Sequence, residues 1–221
     1  MSEALNTSAL EELRADTSSR KRFLRALGGG AAAASLTVAL AACGSKKPGG
    51  NQLGGAGVGT AQFGRGDAGI VNYALYLEYL EADFYRLAVR SGHLRGRALE
   101  LAKHFGAQEQ GHVVTLEGTV KSLGGTPTPR PKSSFTLTNA AVILRTMNQL
   151  ESLGVAAYLG QLDRIQSKQI LAATLSIHTV EARHAAVIST MLGQPISPDG
   201  AFARPFTSVD VTAQLRPFIT A

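Results

Sequence analysis

Two four-residue words hold the side chains best suited to chemistry: Glu109-Gln110-Gly111-His112 and Glu181-Ala182-Arg183-His184. Each sets a carboxylate and an imidazole three positions apart. On a helix such positions lie about 60° apart around the axis and about 4.5 Å apart along it, so both side chains reach the same ion. Among ten glutamates and five histidines in 221 residues, one such word arises by chance roughly 0.2 times. Two in matched places of a repeat carry more weight. Slid against itself by 72 to 73 positions, the chain sets Glu78 on Glu151, Leu80 on Leu153, Tyr85 on Tyr158, Glu109 on Glu181 and His112 on His184. Each half thus offers a Glu and a Tyr seven residues apart on one segment and Glu-x-x-His on the next. Glu78, Glu109, His112, Glu151, Glu181 and His184 read as metal ligands. Their four carboxylates would balance two divalent ions, and an oxygen and nitrogen donor set without sulfur suits iron or manganese and tolerates zinc.

These residues must be held by helices, because each lies among apolar residues spaced by three and four. The first helix runs from Asp67, read as its N-cap, to about Arg90 before Gly92, facing inward with Val71, Ala74, Leu75, Glu78, Ala82, Tyr85 and Val89. The second runs from about Arg97 to Leu123 and ends at Gly124-Gly125, with Leu101, Phe105, Glu109, His112, Leu116 and Val120 inside. The third, from about Asn139 to Ile165, turns Met147, Glu151 and Tyr158 inward. The fourth, from about Lys168 to Leu192 with Ser167 as N-cap and Gly193 as stop, turns in Ile177, Glu181, His184 and Ile188. Carboxylates in the middle of four apolar faces are not a solvated stripe, since burying them uncompensated costs several kcal/mol each.

Short links after helices one and three make each pair antiparallel. Between helices two and three, the Thr- and Pro-rich stretch 124–138 has no helix period. Its length, up to ~50 Å extended, exceeds the ~36 Å of a 24-residue helix, so one crossover can run the length of the bundle. The Pro-containing tail 194–221 should pack irregularly on the bundle, with one short helix near Val209 to Leu215.

The six-ligand set and the phrase ALYLEYLEADFY from Ala74 to Tyr85 resemble the ferritin-like superfamily and, within it, a secreted, desiccation-related bacterial lipoprotein branch. The resemblance covers about residues 67–193. It implies an all-α, ferritin-like four-helix bundle with one long crossover between helices two and three. It further implies two metal ions, iron ahead of manganese, with Glu109 and Glu181 bridging or ligating beside the histidines and Glu78 and Glu151 each capping one metal.

Neighbouring residues are weighed separately. Glu81 competes for the role of Glu78, but the repeat sets Gly154 opposite it, which leaves it outside the ligand set. His178 reads first as a core histidine and second as an extra ligand; His93 and His104 lie off the site. Tyr85 and Tyr158, two turns from Glu78 and Glu151, either act at the site, holding ligand carboxylates or passing electrons, or are ordinary core tyrosines.

Residues 1–43 read as an export signal. Ser19-Arg20-Lys21-Arg22-Phe23-Leu24-Arg25 resembles a twin-arginine export motif with Lys21 between the arginines, and the general secretory route is the alternative. A Gly- and Ala-rich apolar run follows, too short and too glycine-rich for a membrane span, since about 20 apolar residues are needed. Leu40-Ala41-Ala42-Cys43-Gly44 resembles a lipobox, in which Cys43 is the lipidated first residue of the mature protein. Residues 44–66, rich in glycine, read as a tether spanning roughly 26 Å. The expected address is therefore outside the cytoplasm, lipid-anchored to the cell membrane.

Composition excludes other classes. Hydrophobic content of 44% is ordinary for a globular domain. The net charge of +6 is spread along the chain without basic stripes interleaved with aromatics, which argues against nucleic-acid binding. Cys43 is the only cysteine, so the folded domain holds no disulfide, Cys-ligated metal or Cys nucleophile. The expected partners are the membrane, metal ions and oxygen or peroxide, with a second copy of the chain left open. The leading functional expectation is a redox-active dimetal protein that oxidises Fe(II) or removes peroxide, protecting the envelope from oxidative stress. The alternative is a non-catalytic envelope protein whose metal staples the bundle, and iron storage in a cage ranks third.

Overall fold

The computed structural model describes residues 60–220. The expected export signal with Cys43, and residues 44–59 of the expected tether, lie outside the described residues. Among the described residues five α-helices follow one another: α1 (Gly66–Arg90), α2 (Gly96–Ser122), α3 (Ala140–Leu159), α4 (Lys168–Met191) and the short α5 (Ser208–Leu215). Among the described residues there is no strand, only an isolated antiparallel bridge between Ser133 and Ile219. The fold is the all-α bundle expected from the sequence.

Local chemistry sets most helix ends. Asn139 and Ser167 cap α3 and α4, their side chains accepting from the N–H groups of Val142 and Ile170, each worth about 1 kcal/mol. At the end of α2, Gly124 adopts φ 74°. Its N–H reaches the Lys121 carbonyl at 3.0 Å, and the next N–H, of Gly125, reaches Val120 at 2.9 Å, closing the helix in a Schellman pattern.

Three boundaries differ from the sequence reading. Asp67 does not cap its own helix: Arg65 holds the N-cap position, and the Asp67 carboxylate accepts from Gln166 N at 2.9 Å and Ser167 N at 2.8 Å. It thereby ties the start of α1 to the turn before α4. Helix α3 ends at Leu159, six residues before the expected Ile165, because the tail docks on its end. Phe206 N donates to the Ala156 carbonyl at 3.0 Å, and a Cβ on Gly160 would stand 2.0 Å from the Phe206 oxygen. Residues 60–66, part of the stretch read as tether, also pack on the bundle, with Thr60 and Phe63 buried. A 3-10 turn at Ala61–Phe63 places Phe63 against the rings of Tyr73 and Tyr76, at 5.6 and 5.2 Å.

The crossover runs beside α1 from its first turns toward its C-terminal end. Asn72 anchors the beginning, donating to the Thr126 carbonyl at 2.9 Å and accepting from Thr128 N at 2.6 Å. Midway, Arg130 pairs with Asp83 at 3.0 Å and lies 4.4 Å over the Tyr79 ring. At the far end Phe135 packs edge-on against Phe84, 5.1 Å between centroids. The crossover returns the chain to the end of the bundle where α2 began, so α3 runs parallel to α2 and antiparallel to α1.

Helix α1 is the central element. Seventeen of its 25 residues are buried, too many for one face, because α2, α3, the crossover and the tail cover it from different sides. Val211 and Leu215 of α5 complete that cover and are themselves buried. Apolar layers flank the level of Glu78. Phe84, Tyr85, Phe105, Met147 and Ile188 lie on one side of it, and Val71, Leu75, Leu116, Tyr158 and Ile177 on the other.

Candidate metal centre

Between those layers the four helices each turn a carboxylate inward. Glu78, Glu109, Glu151 and Glu181 are all 0% exposed. With the two histidines they form two overlapping groups: Glu78, Glu109, His112 and Glu181 in one, Glu109, Glu151, Glu181 and His184 in the other. Within each group the donor atoms lie within 4.8 Å of one another. Glu109 and Glu181 belong to both, while Glu78 with His112 and Glu151 with His184 each belong to one.

The two groups are near copies related by a rotation. His112 Nδ1 lies 3.2 Å from Glu78, 2.9 Å from Glu109 and 3.0 Å from Glu181. His184 Nδ1 lies 3.0 Å from Glu109, 3.2 Å from Glu151 and 3.7 Å from Glu181. Tyr85 donates its hydroxyl proton to Glu151 Oε1 from across the α1–α3 interface. Tyr158 does the same for Glu78 Oε1, at 2.5 Å. Both sequence-predicted tyrosines therefore hold carboxylates of the opposite half. Burial, reinforced by the carboxylates around them, pushes both phenols up, so they remain donors.

The electrostatics are those of an overfilled acidic layer. Burial raises Glu78 to about 8, against the pull of His112, and pushes Glu151 well up, with Glu181 and Glu109 adding to the shift. Glu181 is the exception: burial opposes ionisation there too, but contact with His112 and His184 holds it near 2. The imidazoles answer in kind. Burial alone would lower His184, yet Glu109, Glu151 and Glu181 raise it to about 12. His112 is raised in the same manner, with Glu78 the largest of the raising contributions.

Glu109 Oε1 and both oxygens of Glu181 are buried without a hydrogen-bond donor of good geometry. Orphaned carboxylate oxygens in the shared positions, together with a four-carboxylate, two-imidazole donor set, fit a pair of metal ions.

Three further residues border the site: Gln108, which the sequence did not single out, Phe105, read only as an inward residue of the second helix, and Glu81. Gln108 Oε1 lies 2.8 Å from His184 Nε2; accepting a hydrogen bond from Nε2–H there leaves Nδ1 to face the carboxylates. The repeat counterpart of Gln108 is Val180, so symmetry hid it. Phe105 stacks on the His184 ring at 4.0 Å. Glu81, placed outside the ligand set, belongs to neither group yet is only 3% exposed. Its Oε2 has no partner. Burial first, then Glu181, Glu78, Glu151 and Glu109, push its carboxyl well up. His178 is not the satisfied core histidine expected first: Nε2 is buried without a partner, and the residue joins neither group. His93 and His104 are exposed, off the site.

A search of curated proteins gives no match. Among solved structures, the chain is similar to a crystal structure described as ferritin-like, diiron-carboxylate proteins from Bacillus anthracis str. Ames. The identity is 20% and the TM-score 0.51, over 62% of this chain and 99% of that one; the likeness is one of fold. A family profile described as Ferritin-like domain matches residues 66–194, which takes in α1 to α4 and all six Glu and His residues of the centre, and the chain belongs to that ferritin-like family.

Proposed function

We propose that this chain is a dimetal carboxylate protein of the cell envelope that oxidises Fe(II) or removes peroxide. The observation that carries the reading is the pair of matched sets, each of three Glu and one His with Glu109 and Glu181 in both, in which Glu109 Oε1 and both Glu181 oxygens are buried without a hydrogen-bond donor of good geometry. Two adjacent metals of variable oxidation state, with iron first and manganese second, would supply the electrons such chemistry needs. The chain's own residues do the rest. Tyr85 and Tyr158 orient the terminal carboxylates, Gln108 fixes the His184 ring, and Phe105 shields it from water. His112, with its side chain 14% exposed against 3% for His184, marks the side from which a small molecule approaches.

Turnover of Fe(II) and peroxide by the purified protein tests the reading, with metal content measured alongside. The double substitution Glu109→Ala with Glu181→Ala should abolish both metal-pair binding and turnover. Fewer than about one metal bound per chain, with Fe(II), Mn(II) and Zn(II) each offered in turn, overturns it. A second reading, a metal that only staples the bundle, is favoured by the complete burial of the four carboxylates; two metals bound without turnover would establish it. The envelope address rests on the lipobox at Cys43.

A further inference from the structure

A groove of about 570 Å³ opens between α1 and α2 on the crossover side of the bundle. Its floor is made of small or flat groups: Ala82 and Ala102, the Tyr85 side chain, and Gly106, where a Cβ would stand 2.8 Å from Tyr85 Cβ. Around it stand four cations, Arg86, Arg90, Lys103 and Arg130, and a single carboxylate, Asp83. Asp83 is 8% exposed and takes Arg86 at 3.2 Å and Arg130 at 3.0 Å on the same oxygen. Stacking over Tyr79 further fixes Arg130. Two guanidiniums are therefore preorganised by one buried acid, with N–H groups to spare. Among the described residues, Arg90 and Lys103 pair with no carboxylate. The groove carries a net charge of three positives over an apolar floor.

We infer that this groove binds a small polyanion, a molecule with two or more carboxylate or phosphate groups on a compact apolar body. Its volume falls within the roughly 300–1,000 Å³ of small-molecule sites. Guanidiniums held in place match the paired oxygens of such groups better than mobile surface lysines do. Tyr85 gives the site its position in the molecule, since it is one of the residues lining the groove while its hydroxyl is bonded to Glu151. A bound anion is thus one side chain from the acidic centre. The inference does not depend on metal occupancy.

Calorimetric titration of the full-length protein with benzene-1,3,5-tricarboxylate, a rigid trianion and poor chelator, tests this. One site per chain is expected, with a dissociation constant below about 1 mM at low salt, weakening roughly tenfold toward half-molar salt. The double substitution Arg86→Gln with Arg130→Gln should weaken binding by about tenfold or more. Lys103→Gln, on the exposed rim and harmless to folding, should weaken it severalfold. Absence of saturable binding by the wild-type protein overturns the inference. Equal binding by Lys103→Gln and the folded double variant does so too. If inorganic phosphate binds as tightly as the tricarboxylate, the apolar floor has no part and the ligand class is wrong. If stripping metals with a chelator abolishes binding, the anion was ligating metal and the groove is not its site.

Discussion

Loading metal into this centre should expel protons, and the number follows from the two Glu–His pairs that must change state. In the metal-free protein at pH 7, Glu78 sits near 8 and Glu151 well above its usual value, both through burial. His184, at about 12, and His112 are held protonated by the carboxylates they touch. A metal pair needs these carboxylates ionised and these imidazoles neutral. Each imidazole is held protonated by a carboxylate that must itself be ionised to do so, so each Glu–His pair, Glu78 with His112 and Glu151 with His184, gives up at least about one proton, roughly two or more per chain. Titrating Mn(II) in two buffers of different ionisation heat, at pH 7, measures the count directly. Release of fewer than about one proton per metal pair would refute the charge assignment. The same shifts fix how the metal-free protein responds to pH. Glu78 binds its proton more tightly folded than unfolded, so its contribution is complete below about 4.5 and fades as pH rises toward 8. His184 contributes fully below about 6.5 and loses that contribution toward 12. Glu181 works oppositely, its contribution lost only as pH falls from about 4.5 toward 2. Removing metal should therefore lower the melting temperature more at pH 8 than at pH 5, and an equal drop at both would contradict the reasoning.

Three other outcomes are expected. Glu81→Gln should hold or raise the melting temperature of the metal-free protein, because the carboxyl has an unpartnered buried oxygen. It should leave metal stoichiometry unchanged, whereas loss of the pair on this substitution would make Glu81 a ligand. Gly160→Ala should cost roughly 1–3 kcal/mol, since its Cβ meets a backbone oxygen at 2.0 Å. Hydrogen exchange should then rise in α5, and wild-type protection there would show that the tail does not depend on this contact. Cys43→Ala should move the protein out of the membrane fraction or alter its processing, and unchanged fractionation and cleavage would remove the lipid anchor.

What the sequence made legible is what depends on short-range spacing. Glycine stops at Gly92, Gly124 and Gly193 and caps at Asn139 and Ser167 are local events, so the ends they set are visible in the chain. Asp67 looked like an N-cap by the same local logic. Its carboxylate instead accepts from Gln166 and Ser167, about a hundred residues away, and no spacing rule foresees that. The end of α3 was hidden for a like reason: Gly160 lies inside an apolar helix pattern, and only the passage of Phe206 shows why the helix stops there. Gln108 could be found only with the His184 ring in place.

Glu81 shows how a repeat can be read in two ways. Setting Gly154 opposite Glu81 removed it from the ligand set, because a residue without a counterpart looks incidental. The structure puts the two in contact: a Cβ on Gly154 would stand 3.0 Å from Glu81 Oε1. The geometry explains why. Tyr85 meets Glu151 and Tyr158 meets Glu78, so a position on α1 faces the α3 position that brings the two numbers to a total of 236. With a repeat offset of 73, a residue faces its own counterpart only at about positions 81 and 82. There two copies of a large side chain would collide, and two glutamates would oppose each other buried and unpaired. Gly154 makes room for a single glutamate at the pseudo-twofold axis of the bundle, on a level with the metal candidates. The broken correspondence is thus a mark of the axis itself, and the asymmetry concentrates an unpaired carboxyl where burial first, and then the four other carboxylates, push its proton affinity up.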